Sequence, residues 1–398
     1  METRLWNKNF IYLILCVVFA SFTNFSLIYM LPVHVLAIGG TNATTGLMTT
    51  GLTITYLVTA LSTAPLIDRW GRKPMILLGA GLYALNAIGY VLFGSNLYAV
   101  IALRLLNGVT QGLFFPAPPT YVGDVSPREK LVDAIGFFGL AGSLAAIFSP
   151  VLGMWLYENV SSKIFFIVCA ATAVISVLFA FLMEEKYVPQ DAVQDAVEDE
   201  NKKTKKFSLS TVLEFSIILP CLASMLIYTG NSAVNNFILP AGLARNIAGI
   251  SVFLSVNNAA MCVTRLCTGR LTKIFKRNVL IIFGVILASV GTLLISFAYS
   301  LPQMLVSSVL IGVGITLFTQ LIQVHVLVSV PENRRGVAGS TLMLFQNIGN
   351  GLGAALFGSM TVSLGYGITY IVSAVVSAVA VPVQLIRGPH ARQMKAEN

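Results

Sequence analysis

The sequence predicts an all-α membrane protein of twelve transmembrane helices, arranged as two six-helix bundles, and three observations predict it. The 398 residues are 56% hydrophobic and only 10% charged, against roughly 25% charged in soluble domains. Apolar runs of about 20 residues, the length a helix needs to cross a bilayer, recur along the whole chain. The chain also repeats itself. Ala64-Pro65-Leu66-Ile67-Asp68-Arg69-Trp70-Gly71-Arg72 lies 205 residues before Gly269-Arg270-Leu271-Thr272-Lys273-Ile274-Phe275-Lys276-Arg277, and Pro127-Arg128-Glu129-Lys130 lies 204 before Pro331-Glu332-Asn333-Arg334. Nearly constant offsets mark duplication of a six-span unit in parallel orientation.

Charged residues and Gly/Pro punctuation divide the first half into spans near 10–36, 45–66, 74–94, 97–122, 132–156 and 163–183. The opening METRLWNKNF resembles the start of a signal peptide, but the apolar stretch runs on to about Ile38 without a small-residue cleavage site, so it reads as the first span. The segment 184–207 is the one long polar stretch, acidic through DAVQDAVEDE and then basic through NKKTKK, and reads as a solvated cytoplasmic linker. The second half gives spans near 209–239, 248–271, 278–298, 302–329, 336–361 and 364–386. The expected domains are therefore an N-terminal bundle at 1–183 and a C-terminal bundle with a short cytoplasmic tail at 208–398.

The net charge of +9 belongs to topology rather than to a nucleic-acid partner. With both termini cytoplasmic, only Lys163 and Arg245 fall in outer loops, Arg104 and Arg265 lie in spans and Arg270 at a border, leaving 20 of the 25 Lys and Arg inside. The five cysteines, Cys16, Cys169, Cys221, Cys262 and Cys267, sit in apolar segments without ligand-like spacing and read as small buried hydrophobes. No nucleophile, base or metal constellation stands at membrane depth, so the reading is not an enzyme, and no cofactor or metal is expected. No Asp or Glu falls at the middle of any span. A pocket for lipophilic cations would normally present one.

Polar residues at helical spacing mark faces that need water or partners, because an amide at membrane depth is costly unless bonded or wet. Asn24, Ser26 and Tyr29 mark span 1. Ser224, Tyr228, Asn231 and Asn235 share a face of span 7, Asn257, Met261 and Arg265 one of span 8, Thr316, Gln320 and Gln323 one of span 10, and Gln346, Asn350 and Gly353 one of span 11. Several such faces aimed at one cavity make these the candidate substrate-binding residues, with interhelical hydrogen bonding as the alternative for any one amide. His325 is read as the only histidine in a span, turned away from Gln320 and placed as a helix-packing residue. Gly349, Gly351 and Gly353 lie in an apolar span with no preceding strand, so they read as close helix contact and not as a nucleotide loop.

Three motifs carry a family resemblance. The loop Asp68-Arg69-Trp70-Gly71-Arg72-Lys73 presents one carboxylate and several cations at cytoplasmic helix ends, where they can pair with helix termini and neighbouring charges. It resembles the signature of the major facilitator superfamily, with Ala64 where the family usually has Gly. The repeat carries Lys273 in place of the Asp, so the first loop is expected to carry the charge latch alone. Arg104, Asn107, Gly108, Gln111 and Gly112 in span 4 resemble a second family signature, with Arg104, Asn107 and Gln111 on one helical face. Gly136, Gly139, Gly142, Ser149, Pro150 and Gly153 in span 5 resemble the motif of antiporters and exporters, with Ala145 and Ser149 where that motif has Gly.

The resemblance covers nearly the whole chain and implies alternating access between two bundles. It implies a monomeric secondary transporter of the cell membrane, most economically a proton-coupled exporter of a small molecule, drug-like or a polar or anionic metabolite such as a siderophore. An uptake carrier for a sugar or organic anion is the alternative. Arg104 and Arg265 among many amides fit a neutral polar or anionic cargo. The resemblance also implies a cytoplasmic gate of Asp68, Arg69, Gly71, Arg72 and Asp124, in which Arg72 pairs with Asp124.

Overall fold

Proline and cap chemistry set the helix boundaries of the protein, seen here in a computed structural model that describes residues 5–127, 130–185, 215–330 and 335–385. Most of the expected linker, from residue 186 on, lies outside the described residues, as do Arg128, Glu129 and the loop 331–334. Every regular element among the described residues is helical. The chain is an all-α membrane protein of twelve spans in two six-helix bundles. Contacts divide it into two units, Met1–Gly40 with Gly51–Lys205, and Thr41–Thr50 with Lys206–Asn398.

In the first unit, α1 (Lys8–Ala37) starts where Asn7 Oδ1 accepts the Phe10 N–H at 2.9 Å, a side-chain cap. Helix α2 (Asn42–Trp70) ends at Gly71, and α3 (Arg72–Phe93) follows directly. Helix α4 (Leu97–Phe114) is capped by Asn96, whose Oδ1 accepts from Tyr98 and Ala99. Span 4 then breaks, because Pro116, Pro118 and Pro119 lack the amide protons a continuous helix needs, and resumes as α5 (Ala117–Val125). Helix α6 (Leu131–Asn159) is the fifth span, and α7 (Ser162–Leu182), capped by Ser161, the sixth. Helix α1 packs on α6 and α7, and α3 on α4 and α7. In a bilayer the helices are joined by close packing and polar contacts rather than by the hydrophobic effect. Thr23 accordingly donates to the Cys169 carbonyl at 3.2 Å, and Ser176 to the Cys16 carbonyl at 2.9 Å.

The second unit holds α8 (Ile218–Ala244), α9 (Ser251–Ile274), α10 (Arg277–Phe297), α11 (Leu301–Val328), α12 (Arg335–Ala378) and α13 (Ala380–Leu385). Helix α12 comprises spans 11 and 12, divided at Gly365, whose φ of 76° breaks the helical course. Residues 209–214 of the expected span 7 lie outside the described residues; a 3-10 turn at Phe215–Ile217 leads into α8, whose first turn holds Pro220, where no intrahelical N–H bond is lost. The main seam joins α8 to α12. Gly349 and Gly353 bring α12 onto the backbone of Met225 and Thr229, as the small-residue reading expects. Ser232 donates to the Asn350 carbonyl at 2.8 Å, and Ser373 to the Gly230 carbonyl at 2.8 Å.

The first residues of α2 join this unit. Asn42 Nδ2 donates to the Tyr366 hydroxyl at 2.8 Å, Thr49 to Asn236 Oδ1 at 2.9 Å, and Thr50 to the Gly351 carbonyl at 2.6 Å. Among the described residues, eight helices are long and apolar enough to cross a membrane.

Candidate functional site

The cytoplasmic loop after α2 is built around Gly71. Its φ of +91° lies in the left-handed region that favours glycine, and it turns the chain sharply from α2 into α3. The turn sets Arg72 in the first turn of α3, with Nε 3.1 Å from Asp124 Oδ2 at the end of α5. The contact is an ion pair between the guanidinium and the carboxylate. Arg69 is exposed; the Asp68 and Ala64 side chains lie outside the described residues. Sequence reasoning missed a second carboxylate here. Glu185 Oε2 accepts the Lys73 N–H at 2.8 Å at the positive end of α3. Beside it, the Glu184 carbonyl accepts from the Tyr121 hydroxyl, and the Glu184 N–H donates to Asn9 Oδ1 at 3.0 Å. The only signal was the GluGlu pair ending span 6.

The span-4 signature is likewise embedded in the first unit. Arg104, Asn107 and Gln111 are all buried on α4. Gln111 Nε2 donates to Asn107 Oδ1 at 2.7 Å, Asn107 Nδ2 to Asn86 Oδ1 at 3.3 Å, and Asn86 Nδ2 to the Leu103 carbonyl at 2.8 Å. The amides thus form a directed chain between α4 and α3. Asn86, absent from the expected site, is its end. Arg104 adjoins Tyr83 and Tyr90 of α3, so the guanidinium faces helices of its own unit and is only 3% exposed. Gly108 and Gly112 bring α4 against the backbone of Leu52, Tyr56 and Ala60 in α2.

The remaining candidates divide by exposure. Asn24 and Tyr29 are buried in α1, with Tyr29 stacked on Phe25 at 6.0 Å. In the second unit Tyr228, Asn231, Asn235, Gln320, Gln346 and Asn350 are partly exposed, and Arg265 is exposed beside Tyr228. Asn257 is spoken for, since its Nδ2 donates to the Ser308 carbonyl at 2.9 Å and ties α9 to α11. The neighbouring amide of Asn235 does similar work: Asn236 is buried and bonds Thr49 and Ser232.

Comparison with known proteins follows from this arrangement. The family model described as Major Facilitator Superfamily matches residues 13–230 and again 220–397. The chain belongs to the major facilitator superfamily. An uncharacterized MFS-type transporter of Methanocaldococcus jannaschii is 23% identical over 90% of this chain and 92% of its own length. Multidrug resistance protein MdtG of Yersinia enterocolitica is 27% identical over 93% and 91%. A crystal structure of a POT family transporter bound to a thioalcohol-conjugated peptide superimposes with a TM-score of 0.80 at 16% identity, covering 95% of both chains. The protein is a transporter and not an enzyme.

The span-5 glycines and the histidines stand as follows in the structure. Of the span-5 small residues, Gly136, Gly139 and Gly142 have nothing within 4 Å of where a Cβ would stand, and Gly153 alone of the row's glycines meets Met30 and Phe165. Close packing therefore does not explain three of the four here. His325 is not the only histidine in a span, because His34 lies in α1 and was overlooked within the first apolar run. Its Nε2–H donates to the Gly94 carbonyl at 2.8 Å, which leaves Nδ1 to accept from the Tyr157 hydroxyl at 2.9 Å in the neutral ring.

Proposed function

We propose that this member of the superfamily is a secondary exporter, working by alternating access and coupled to protons, that moves a drug-like or polar to anionic small molecule out of the cell. The observation that carries the reading is likeness to a multidrug resistance protein along 93% of the chain. The span-5 glycine row supports it, since three glycines with no packing duty in this structure need another reason to be small. On this reading the two bundles are 1–183 and 208–398, joined by a cytoplasmic linker at 184–207. Both termini are cytoplasmic, and the transporter acts as a monomer in the plasma membrane.

Cargo contacts are assigned to the partly exposed faces, Tyr228, Asn231, Asn235, Gln320, Gln346 and Asn350, with Arg265 supplying positive charge. Asn24, Tyr29, Asn107 and Gln111 are buried in α1 and α4 of the first unit, and Asn257 is engaged in tying α9 to α11. The gate is Arg72 with Asp124, with Asp68, Arg69 and Gly71 in its loop. A charge pair at a helix junction biases conformations without touching cargo.

The test is transport in proteoliposomes against a panel of lipophilic and anionic compounds. Export predicts uphill movement when a pH gradient is imposed, and counterflow without one. Counterflow that no pH gradient can drive uphill would remove the proton coupling. Uptake driven by an inward proton gradient with the same orientation would reverse the direction.

A further inference from the structure

Arg104 raises a charge problem that neither gate nor cargo resolves. Its Nη1 is enclosed and has no hydrogen-bond partner, and the guanidinium is 3% exposed. No carboxylate is available from the surrounding helices, because α1, α3, α4 and α7 carry no Asp or Glu. What adjoins the cation are the hydroxyls of Tyr83 and Tyr90, two turns apart on α3 and themselves buried.

The amides around this cation are already bonded to one another or to backbone. Asn86 Oδ1 is taken by Asn107, Asn107 Oδ1 by Gln111, and the Leu103 carbonyl by Asn86. The hydroxyls of Tyr83 and Tyr90 and Arg104 Nη1 are all enclosed without a hydrogen-bond partner. A hydroxyl that accepts from the guanidinium still has its own proton to place, and the pairing leaves the buried positive charge unbalanced. A single small anion accepts both groups and cancels the charge. The walls limit its size, since Phe166 stacks on Tyr90 at 5.5 Å and Cys169 is buried beside Tyr83.

We propose that Arg104, Tyr90 and Tyr83 bind a small monovalent inorganic anion of chloride's class inside the first unit. The anion is a resident of the bundle and not cargo, and the proposal holds whatever the direction of transport. It makes chloride a stabiliser of the fold, since a ligand that binds only the native state raises its melting temperature in proportion to occupancy.

The experiment is thermal unfolding of the purified protein in detergent while chloride replaces gluconate at constant ionic strength. The wild type should melt higher with rising chloride, along a saturating curve. Tyr90→Phe, which removes one hydroxyl and leaves the ring stack, should shift the midpoint to at least tenfold higher chloride, and Arg104→Gln should abolish the response. If Arg104→Gln does not fold, Tyr90→Phe carries the test. Coincident chloride and gluconate curves for the wild type would overturn the site, and so would an unchanged chloride midpoint in Tyr90→Phe. Because no step requires transport, failure here leaves the exporter reading standing, and failure of export leaves this result standing.

Discussion

Arg72 Nε lies 3.1 Å from Asp124 Oδ2, joining the first turn of α3 to the end of α5. The two side chains are 14% and 25% exposed, and ion pairs with solvent access contribute on the order of 0–1 kcal/mol. A contact that weak holds a fold poorly but suits a gate that must part in each cycle. Arg72→Ala and Asp124→Asn should each lower the maximal transport rate while leaving apparent cargo affinity within about tenfold, because the gate changes populations and not contacts. Initial rates in proteoliposomes over a range of cargo concentrations measure both quantities. Unchanged maximal rates in both variants would remove the pair from the mechanism.

Gly71 tests the turn itself. A side chain there meets a φ of +91° and a Glu185 oxygen 2.7 Å from the Cβ position. Gly71→Ala should therefore destabilise the protein by about 1–3 kcal/mol, seen as a lower melting temperature. In the Gly71→Ala background, Glu185→Ala should recover part of the loss by relieving the collision. Glu185→Ala alone, which removes the acceptor of the Lys73 N–H, is the reference for that gain, and a double variant no better than additive would assign the effect to backbone strain.

Two sets of glycines should behave in opposite ways. Gly349→Ala and Gly353→Ala push a methyl onto the backbone of α8, and overpacking of this kind costs about 1–3 kcal/mol. Gly136→Ala and Gly139→Ala meet open space and should leave melting unchanged or slightly raised, since alanine is the better helix former by about 1 kcal/mol. If the row serves the exporter cycle, these two variants lose transport while keeping stability. Full transport in both would take the span-5 row out of the export reading.

Orientation is open to direct chemistry. In a cysteine-free background, a single cysteine replacing the exposed Asn159 should react with an impermeant thiol reagent added to intact cells, and one replacing Lys203 should react only after lysis. Labelling of the Lys203 variant in intact cells would invert the topology.

The spans were legible because bilayer crossing leaves a strong local signal, and the Arg72–Asp124 pair was expected only through the family resemblance of the loop that carries Arg72. What stayed hidden depends on distant segments. Glu185 caps α3 across a separation of 112 residues, and nothing near it in sequence says so. Asn86 completes the Arg104 row only because α3 lies against α4. Asn257 carried the same helical spacing as its exposed neighbours, yet its amide is consumed by Ser308, a distinction that periodicity cannot draw. Asn42–Tyr366 and Thr49–Asn236, which give the first turns of α2 to the second unit, span 324 and 187 residues.

The ring of His34 has a consequence for how the protein is made. Its two partners belong to segments that leave the ribosome later, Gly94 first and Tyr157 last, 123 positions after the histidine. At synthesis rates of roughly 5–20 residues per second, the first span waits on the order of ten seconds between its own emergence and that of the hydroxyl that completes its hydrogen bonding. Over that interval the imidazole lacks both partners until Gly94 emerges, and one of them until Tyr157 does. The hydrogen bonding of this ring, at the last turn of α1, is therefore completed only when α6 arrives, shortly before α7 closes the first half.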